Sequence, residues 1–363
     1  MYNKALEVLK IFKEHGYVAY IVGGYPRDNL LGIKTNDIDM CTDAKPKEII
    51  EIFDTAGVSD IKYGSVKVIY KGICFDITTF RKDIKYENNR KPVKIKYVND
   101  LKKDLLRRDF TINTICIDSD GNIIDILGAK KDIEKKIITT VGNPRYRLKE
   151  DSLRILRAIR FACTLDFEID GRVKSYIKKY GYLLKYLSYS RKKEEIDKIF
   201  ISKHKDKGIK LLTELGLDKY LELNNLDKII LCDDIIGLWS QIETTGNYPF
   251  SKIENENIRK VKKMLNEGVN NYTIYKYGLY VSSVVASIKH ISYKEINDKY
   301  KKLPIYSRKE IKISGDEIIK KLGREPGSYV KKILDDLEIK IINGELENDK
   351  NKLIKYVDSN YGG

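Results

Sequence analysis

The stretch GGYPRDNLLGIKTNDIDMCT, Gly23 to Thr42, decides how the chain is read. It follows an apolar run, Tyr17-Val-Ala-Tyr-Ile-Val22, that reads as a strand. The Gly-Gly pair lets an anion approach bare backbone. Pro26 fits the first position of a short helix whose N–H groups would face that anion, and Arg27 adds a fixed charge. Asp37-Ile38-Asp39 reads as a second strand. Residues two apart in a strand share a face, so Asp37 and Asp39 would point together while Ile38 and Met40 turn into a core. Neighbouring carboxylates repel unless a cation stands between them, and carboxylate oxygens beside phosphate suit Mg²⁺. The stretch therefore reads as a metal–nucleoside triphosphate site. Asp-x-Asp alone would read as two surface aspartates; the pattern around it reverses that.

Working outward, Asn3 to Glu14 reads as an amphipathic helix capped by Asn3, with Leu6, Leu9 and Phe12 as its stripe and Gly16 as its end. After the central stretch, Lys45-Pro46-Lys47 starts a helix over Glu48 to Phe53. Val66, Val68 and Tyr70 alternate into a hairpin that turns at Lys71-Gly72 and returns as Ile73 to Thr78. On the return strand Ile73, Phe75 and Ile77 share one face, and Asp76 lies on the other. Asp76 either completes the metal site as a third carboxylate or is an exposed strand residue. Arg81 to Pro92 lacks clear periodicity and reads as a mobile loop beside the site, or a plain surface loop.

A second cluster is DLLRRDFTIN, Asp104 to Asn113. Arg107 and Arg108 offer planar donor forks suited to phosphate, and Asp109 or Asn113 could hold a ribose hydroxyl. The alternative is a salt-bridged helix end. A short hairpin follows, Ile115–Ile117 and Ile123–Ile126 about Asp120-Gly121. From Arg145 the pattern turns helical. Within Glu150 to Phe161 the expected buried stripe is Leu153, Leu156 and Ile159. Asp151, Arg154 and Arg157 recur every three residues on a neighbouring face, with Arg160 drifting around the helix. Read alone, that row is an ion-pair ladder on a solvated helix.

The 363 residues suggest two or three domains, and a hydrophobic content of 42% is enough for real cores. The net charge of +16, spread along the chain, favours a polyanionic partner such as nucleic acid, or else reflects an AT-rich genome. Five cysteines without a CxxC pair read as free thiols in a reducing, cytoplasmic compartment. Three scattered histidines exclude a zinc or histidine-rich hydrolase centre. No signal peptide and no membrane-spanning run is expected. In the helix-rich second half, Tyr272 to Tyr280 and Tyr293 to Tyr306 interleave tyrosine with lysine, as RNA-contacting surfaces or packing faces do.

Taken together and in order, GGYPRDNLLG…NDIDMCT, FDITTFRKD, DLLRRDFTIN, DILGAKKD (Asp125–Asp132) and EDSLRILRAIRFA resemble the class II CCA-adding tRNA nucleotidyltransferase and bacterial poly(A) polymerase family. The C-terminal Ile313-Ser-Gly-Asp…Pro326-Gly…Ile333-Leu…Gly344-Glu-Leu-Glu-Asn348 is similar to the tail of bacterial CCA-adding enzymes. Pro26 and Thr114 depart from the family's usual aliphatic and alanine. Glu87-Asn-Asn-Arg-Lys91 departs from its usual loop, which bears on the switch from C to A addition.

The resemblance implies an α+β chain, a small mixed α/β nucleotidyltransferase head followed by an all-helical neck, body and tail. The expected spans are 1–140 for the catalytic head, 141–200 for the neck with its nucleobase-selecting helix, 201–270 for the body and 271–363 for a tRNA-binding tail. It implies Mg²⁺ on Asp37 and Asp39, and nucleotide contacts from Gly24, Arg27, Arg108, Asp151, Arg154, Arg157 and Arg160. The implied partners are tRNA, CTP and ATP. Cytosine and adenine both offer an amino donor beside a ring-nitrogen acceptor. A carboxylate at Asp151 and a guanidinium at Arg154 would satisfy both bases and mismatch guanine and uracil. The competing expectations are a poly(A) polymerase, an enzyme adding only CC or only A, and a non-catalytic RNA-binding protein on the same fold.

Overall fold

A computed structural model of the chain describes residues 1–54, 56–60, 63–87 and 91–362. They form two compact units, Met1–Asp227 with Thr244–Pro249, and Lys228–Glu243 with Phe250–Gly363.

The first unit begins with α1 (Tyr2–Glu14), which buries Ala5, Val8, Leu9 and Phe12. Met1 rather than Asn3 stands at its cap, with no side-chain cap bond, and the Tyr2 ring in the first turn stacks on Tyr25 at 5.7 Å. Next come β1 (Ala19–Val22) and α2 (Gly24–Leu30). Pro26 is the third residue of α2, not the first. Gly23, at φ 88°, makes the turn and the helix starts directly after it. Proline is tolerated there because first-turn N–H groups have no partner within the helix.

β2 (Asp39–Thr42) begins at Asp39, so Asp37 lies before the strand and not on it. Ile38 and Met40 are buried as expected. After α3 (Pro46–Ile52) come β3 (Ala56–Asp60), β4 (Ser65–Tyr70) and β5 (Ile73–Thr79). The hairpin of β4 and β5 matches the expected alternation, with Val66, Val68, Phe75 and Ile77 fully buried.

The expected loop from Arg81 is instead a two-stranded ribbon, β6 (Arg81–Glu87) against β7 (Lys91–Tyr97). Its alternation is inverted, which hides it from a hydrophobic reading. Arg81 and Asp83 turn inward as an ion pair at 3.6 Å, while Ile84 is exposed. Asn88 to Arg90, the centre of the departing loop, lie outside the described residues.

Then follow α4 (Leu101–Leu105), β8 (Cys116–Ile117), β9 (Ile123–Ile124), α5 (Ala129–Glu134) and β10 (Ile137–Ile138). The main sheet runs β3-β4-β5-β2-β1-β8-β9. Its one parallel pair, β2 with β5, sets Asp39 opposite Asp76, and β1 sets Val22 opposite Asp39. One face packs Val66, Phe75, Ile77 and Met40 against α1 and α3. The other packs Val22, Cys41, Cys116, Phe80 and Leu105.

Beyond the sheet the first unit is helical: α6 (Pro144–Glu150), α7 (Leu153–Thr164), the short β11 (Glu168–Ile169), α8 (Gly171–Tyr180), α9 (Tyr189–Phe200) and α10 (Lys205–Glu214). The expected continuous helix across Glu150–Phe161 is broken. Asp151 is extended, and its Oδ1 accepts the Leu153 N–H at 3.0 Å, which starts a new helix. The buried stripe of α7 is wider than expected, with Arg154, Ile155, Leu156, Ala158 and Ile159 inside and Leu153 only half-buried.

The second unit contains helices Ile235–Gln241, Lys252–Glu267, Asn271–Ile288, Tyr293–Lys301, Gly315–Leu322, Ser328–Ile342 and Lys350–Tyr361. Several of its tyrosines tie helices together. Tyr275 donates to Glu338 at 2.6 Å, and Tyr356 and Tyr361 donate to Asp336 at 2.8 and 2.9 Å. Tyr293 and Tyr306 remain exposed. The chain is therefore a mixed α/β N-terminal part followed by a largely helical remainder, as the resemblance implied. Among the described residues no helix is long and apolar enough to cross a membrane.

Candidate active site

The site is built where β1, β2 and β5 lie side by side. The left-handed φ of Gly23 favours glycine, and so does the space. A side chain there would place its first carbon 3.4 Å from Asp39 Oδ2 and 3.9 Å from Arg108 Nη1. Asp39 keeps an exposed surface, yet its carboxyl lies in a cleft crowded by protein. That burial, with Asp37 and Asp76 nearby and despite Arg108 and Arg157, pushes its pKa up to about 6. Asp37 is exposed and Asp76 half-buried on the neighbouring strand. Among the described residues no three His, Cys, Asp or Glu side chains are gathered tightly enough to hold a metal ion by themselves.

Around these carboxylates stands a chain of polar contacts joining four of the expected residues. Arg27 is buried on α2. It donates Nε to Asp28 at 2.8 Å and Nη1 to Asn113 Oδ1 at 2.5 Å. Asn113 Nδ2 donates to Asp109 Oδ1 at 3.1 Å. Asp109 Oδ2 then accepts Arg157 Nε at 2.7 Å and Nη2 at 2.6 Å. Burial opposes a charge on Asp109, but Arg157, Asn113 and the Phe110 N–H hold its carboxyl well below the usual range. Asp109 and Asn113 thus face protein partners here. Gly24 is the first helical residue of α2, with the Arg27 guanidinium beside it.

Arg108 donates to Asp104 Oδ2 at 3.2 Å, and Arg107 Nε donates to Asp104 Oδ1 at 2.8 Å. Burial works against charge on Arg108, yet Asp104 and the thiols of Cys41 and Cys116 raise its pKa overall. Its Nε is buried with no hydrogen-bond partner among the described residues. Asp104 makes the salt-bridged helix end, and Arg108 still reaches the cleft.

Asp151 sits at the junction of α6 and α7. Burial raises its carboxyl pKa, opposed by Arg154 and the Leu153 N–H. Arg154 is buried, and its donors reach Arg147 O at 3.0 Å, Glu150 at 3.2 Å and Arg107 O at 3.2 Å. Arg160 pairs with Glu195 of α9 at 2.7 Å. Phe161 is a buried residue of α7 that no charge pattern in the sequence marks. It carries the guanidiniums of Arg27, Arg157 and Arg160 at 5.3, 5.3 and 4.2 Å from its ring centre. Asp104 could have been found from its i,i+3 and i,i+4 spacing to the arginines. Glu195 carries no such signal, because its partner comes from another helix.

Three sequence families match along the chain: the Poly A polymerase head domain over 19–139, the RNA and SrmB- binding site of polymerase A over 166–226, and tRNA nucleotidyltransferase domain 2 over 248–357. The CCA-adding enzyme of Ligilactobacillus salivarius is 34% identical over 98% of this chain and 95% of its own. The chain belongs to the CCA-adding enzyme and poly(A) polymerase nucleotidyltransferase family. That of Anoxybacillus flavithermus is 33% identical over 99% of this chain and 97% of its own. The crystal structure of the Bacillus stearothermophilus CCA-adding enzyme in complex with CTP matches with a TM-score of 0.86. It is 28% identical and covers 99% of this chain and 97% of that one. Membership makes the chain a nucleotidyltransferase of this family.

Proposed function

We propose that the chain is a template-independent tRNA nucleotidyltransferase that builds the CCA end. It joins an RNA 3′-hydroxyl to the α-phosphate of CTP, then ATP, and releases pyrophosphate. The observation that carries this reading is Asp39 at the Gly23 turn, with Asp37 two residues before it and Asp76 opposite it on β5, its carboxyl pushed up to about 6 by burial and by those two acids. The likeness to CCA-adding enzymes over nearly the whole chain, tail included, supports it over a poly(A) polymerase.

An all-oxygen, all-carboxylate donor set whose repulsion Arg108 and Arg157 offset only in part fits Mg²⁺. Asp37 and Asp39 would hold it, with Asp76 beside them. Bound there, it would lower the pKa of the attacking hydroxyl and offset charge on the leaving oxygen. The other steps belong to the chain. Gly23 and Gly24 leave room for the triphosphate beside Arg27 and Arg108. Asp109 and Asn113 fix Arg157 and Arg27 in advance, so their donors need little reorganisation when charge develops. Asp151 accepts from the exocyclic amino group of cytosine or adenine. Arg154 donates to the ring nitrogen once it exchanges part of its present contacts. The net charge of +16 suits tRNA as the polyanionic partner. The proposed partition keeps 1–140 as head, 141–200 as neck, 201–270 as body and 271–363 as the tRNA-binding tail, in a cytoplasmic protein.

The test is a tRNA lacking its CCA end, given each nucleotide separately, with products resolved residue by residue. CTP alone should extend it, ATP should then add one residue and stop, and chelation of Mg²⁺ should abolish both. Continued growth on ATP alone would assign a poly(A) polymerase, and arrest after CC or acceptance of only A would assign a partial enzyme.

A further inference from the structure

A separate cavity of about 460 Å³ opens in the first unit, walled by the ribbon of β6 and β7, the turn after α4 and the end of α6. Among the described residues five cations line it: Lys82 and Lys96 on the ribbon, Lys103 on α4, then Arg107 and Arg147. The two acids among the described lining residues are already engaged. Asp83 pairs with Arg81 at 3.6 Å, and Glu150 takes Arg147 at 2.8 Å and Arg154 at 3.2 Å.

Lys82 and Lys96 are the unusual members. They stand directly opposite each other in the ladder, and both are exposed. Like charges so placed destabilise a strand pair, and a lone two-stranded ribbon has little stability to spare. Among the described residues no carboxylate pairs with Lys82, with Lys96, or with Lys94 two residues along β7. A ligand carrying several negative groups in a row relieves that repulsion.

Position decides which ligand. Arg107 lines the cavity, while the next residue, Arg108, reaches the Gly23 turn beside Asp39. On the other wall, Glu150 and the Arg107 and Arg147 carbonyls hold Arg154 from behind. The cavity therefore backs onto the reaction cleft. With the triphosphate beside Asp37 and Asp39, the polyanion left to reach the cavity is the strand whose 3′ end reacts. We infer that the cavity between the Lys82–Lys96 pair and Arg107 grips phosphodiester groups of the RNA acceptor strand just upstream of its 3′ end. This rests on the nucleotidyltransferase reading above.

The experiment uses the full chain with Lys82→Gln and Lys96→Gln together, and the charge-keeping Lys82→Arg with Lys96→Arg. Binding of a fluorescent tRNA acceptor minihelix is followed by anisotropy, without nucleotide, across a salt series. The glutamine variant should weaken binding on the order of tenfold and flatten the log–log salt slope by about 1 to 1.5, and the arginine variant should restore both. The glutamine variant's thermal midpoint should be equal to or higher than the wild type's, since a repulsion has been removed, and its KM for CTP should not move. Unchanged RNA affinity and slope overturn the inference. So does a rise in KM for CTP in their place, which would put a triphosphate in the cavity. The two readings fail separately. A wild type that binds RNA through these lysines but incorporates nothing sinks the catalytic reading alone; one that incorporates nucleotide indifferently to the lysines sinks only this one.

Discussion

Asp109 receives both Nε and Nη2 of Arg157 on a single carboxylate oxygen, at 2.7 and 2.6 Å, and so joins the sheet-bearing part of the first unit to α7. Its other oxygen takes the Phe110 N–H and the Asn113 amide. Asp109 is thus a strut, and the charge that faces the cleft is the one it holds. Asp109→Ala leaves Arg157 partly buried without its partner, a change that costs about 3 kcal/mol for pairs of this kind. Chemical denaturation should show that loss. The sign with pH follows from the depressed carboxyl. Its contribution is present above the ordinary value of 3.8 and lost as pH falls through the lower folded value. The gap between wild type and variant should be flat near neutrality and narrow in acid.

Asp39 runs the opposite way. Its pKa is raised from 3.8 to about 6, so the metal-free folded state binds that proton more tightly than the unfolded chain does. Stability is lost as pH rises across that window. Asp39→Asn has no proton to lose. Without metal, its unfolding midpoint should exceed the wild type's above pH 6, and the difference should vanish below about pH 4. Added Mg²⁺ should raise the wild-type midpoint and not the variant's. Nucleotide incorporation should fall at least about 10²-fold, the scale of losing several kcal/mol of charge stabilisation. Equal midpoints at pH 8 without metal would refute the strain assigned to this carboxylate.

Much of this arrangement could be read in the sequence wherever side-chain period and burial agree. Val66, Val68, Phe75 and Ile77 alternate as a half-buried hairpin must, and Ile38 and Met40 mark the inward side of the Asp37–Asp39 pair. The reading failed where polar residues point inward. In β6 the inward positions are Arg81 and Asp83 and an isoleucine faces water, so a strand resembled a loop. It failed again at Asp151. The residues around it all tolerate a helix, and only a side-chain bond to the Leu153 N–H shows why the helix restarts. At Arg160, the drifting end of the row of Asp151, Arg154 and Arg157, the partner Glu195 comes from α9, and no local spacing predicts that contact.

Phe161 holds no charge, yet three guanidiniums lie within 5.3 Å of its ring centre and Phe110 meets it edge-on at 5.7 Å. Each cation–ring contact is worth about 0.5–1 kcal/mol at partly exposed sites. Phe161→Leu keeps an apolar side chain and removes the ring face. KM for CTP should rise about fivefold, the equivalent of roughly 1 kcal/mol, as Arg27 and Arg157 lose their common platform. Steady-state kinetics with RNA saturating gives the answer. A variant with wild-type KM for CTP would show that Asp109 and Asn113 position these arginines unaided.

Base choice is tested most cleanly at Asp151. Its Oδ1 is needed by the Leu153 N–H, so Asp151→Ala would disturb the start of α7 as well as the pocket. Asp151→Asn keeps an oxygen for that bond and turns the second position from an acceptor into a donor. A donor there suits the carbonyl of uracil and opposes the amino group of cytosine. Each mismatched buried group costs about 1–3 kcal/mol, so the preference for CTP over UTP should fall between about 5-fold and 150-fold. The measurement is single-turnover incorporation of CTP and UTP onto the same tRNA end, with the thermal midpoint as a check that α7 is intact. If a folded Asp151→Asn still takes CTP at the wild-type rate and refuses UTP, selection is made by groups other than Asp151.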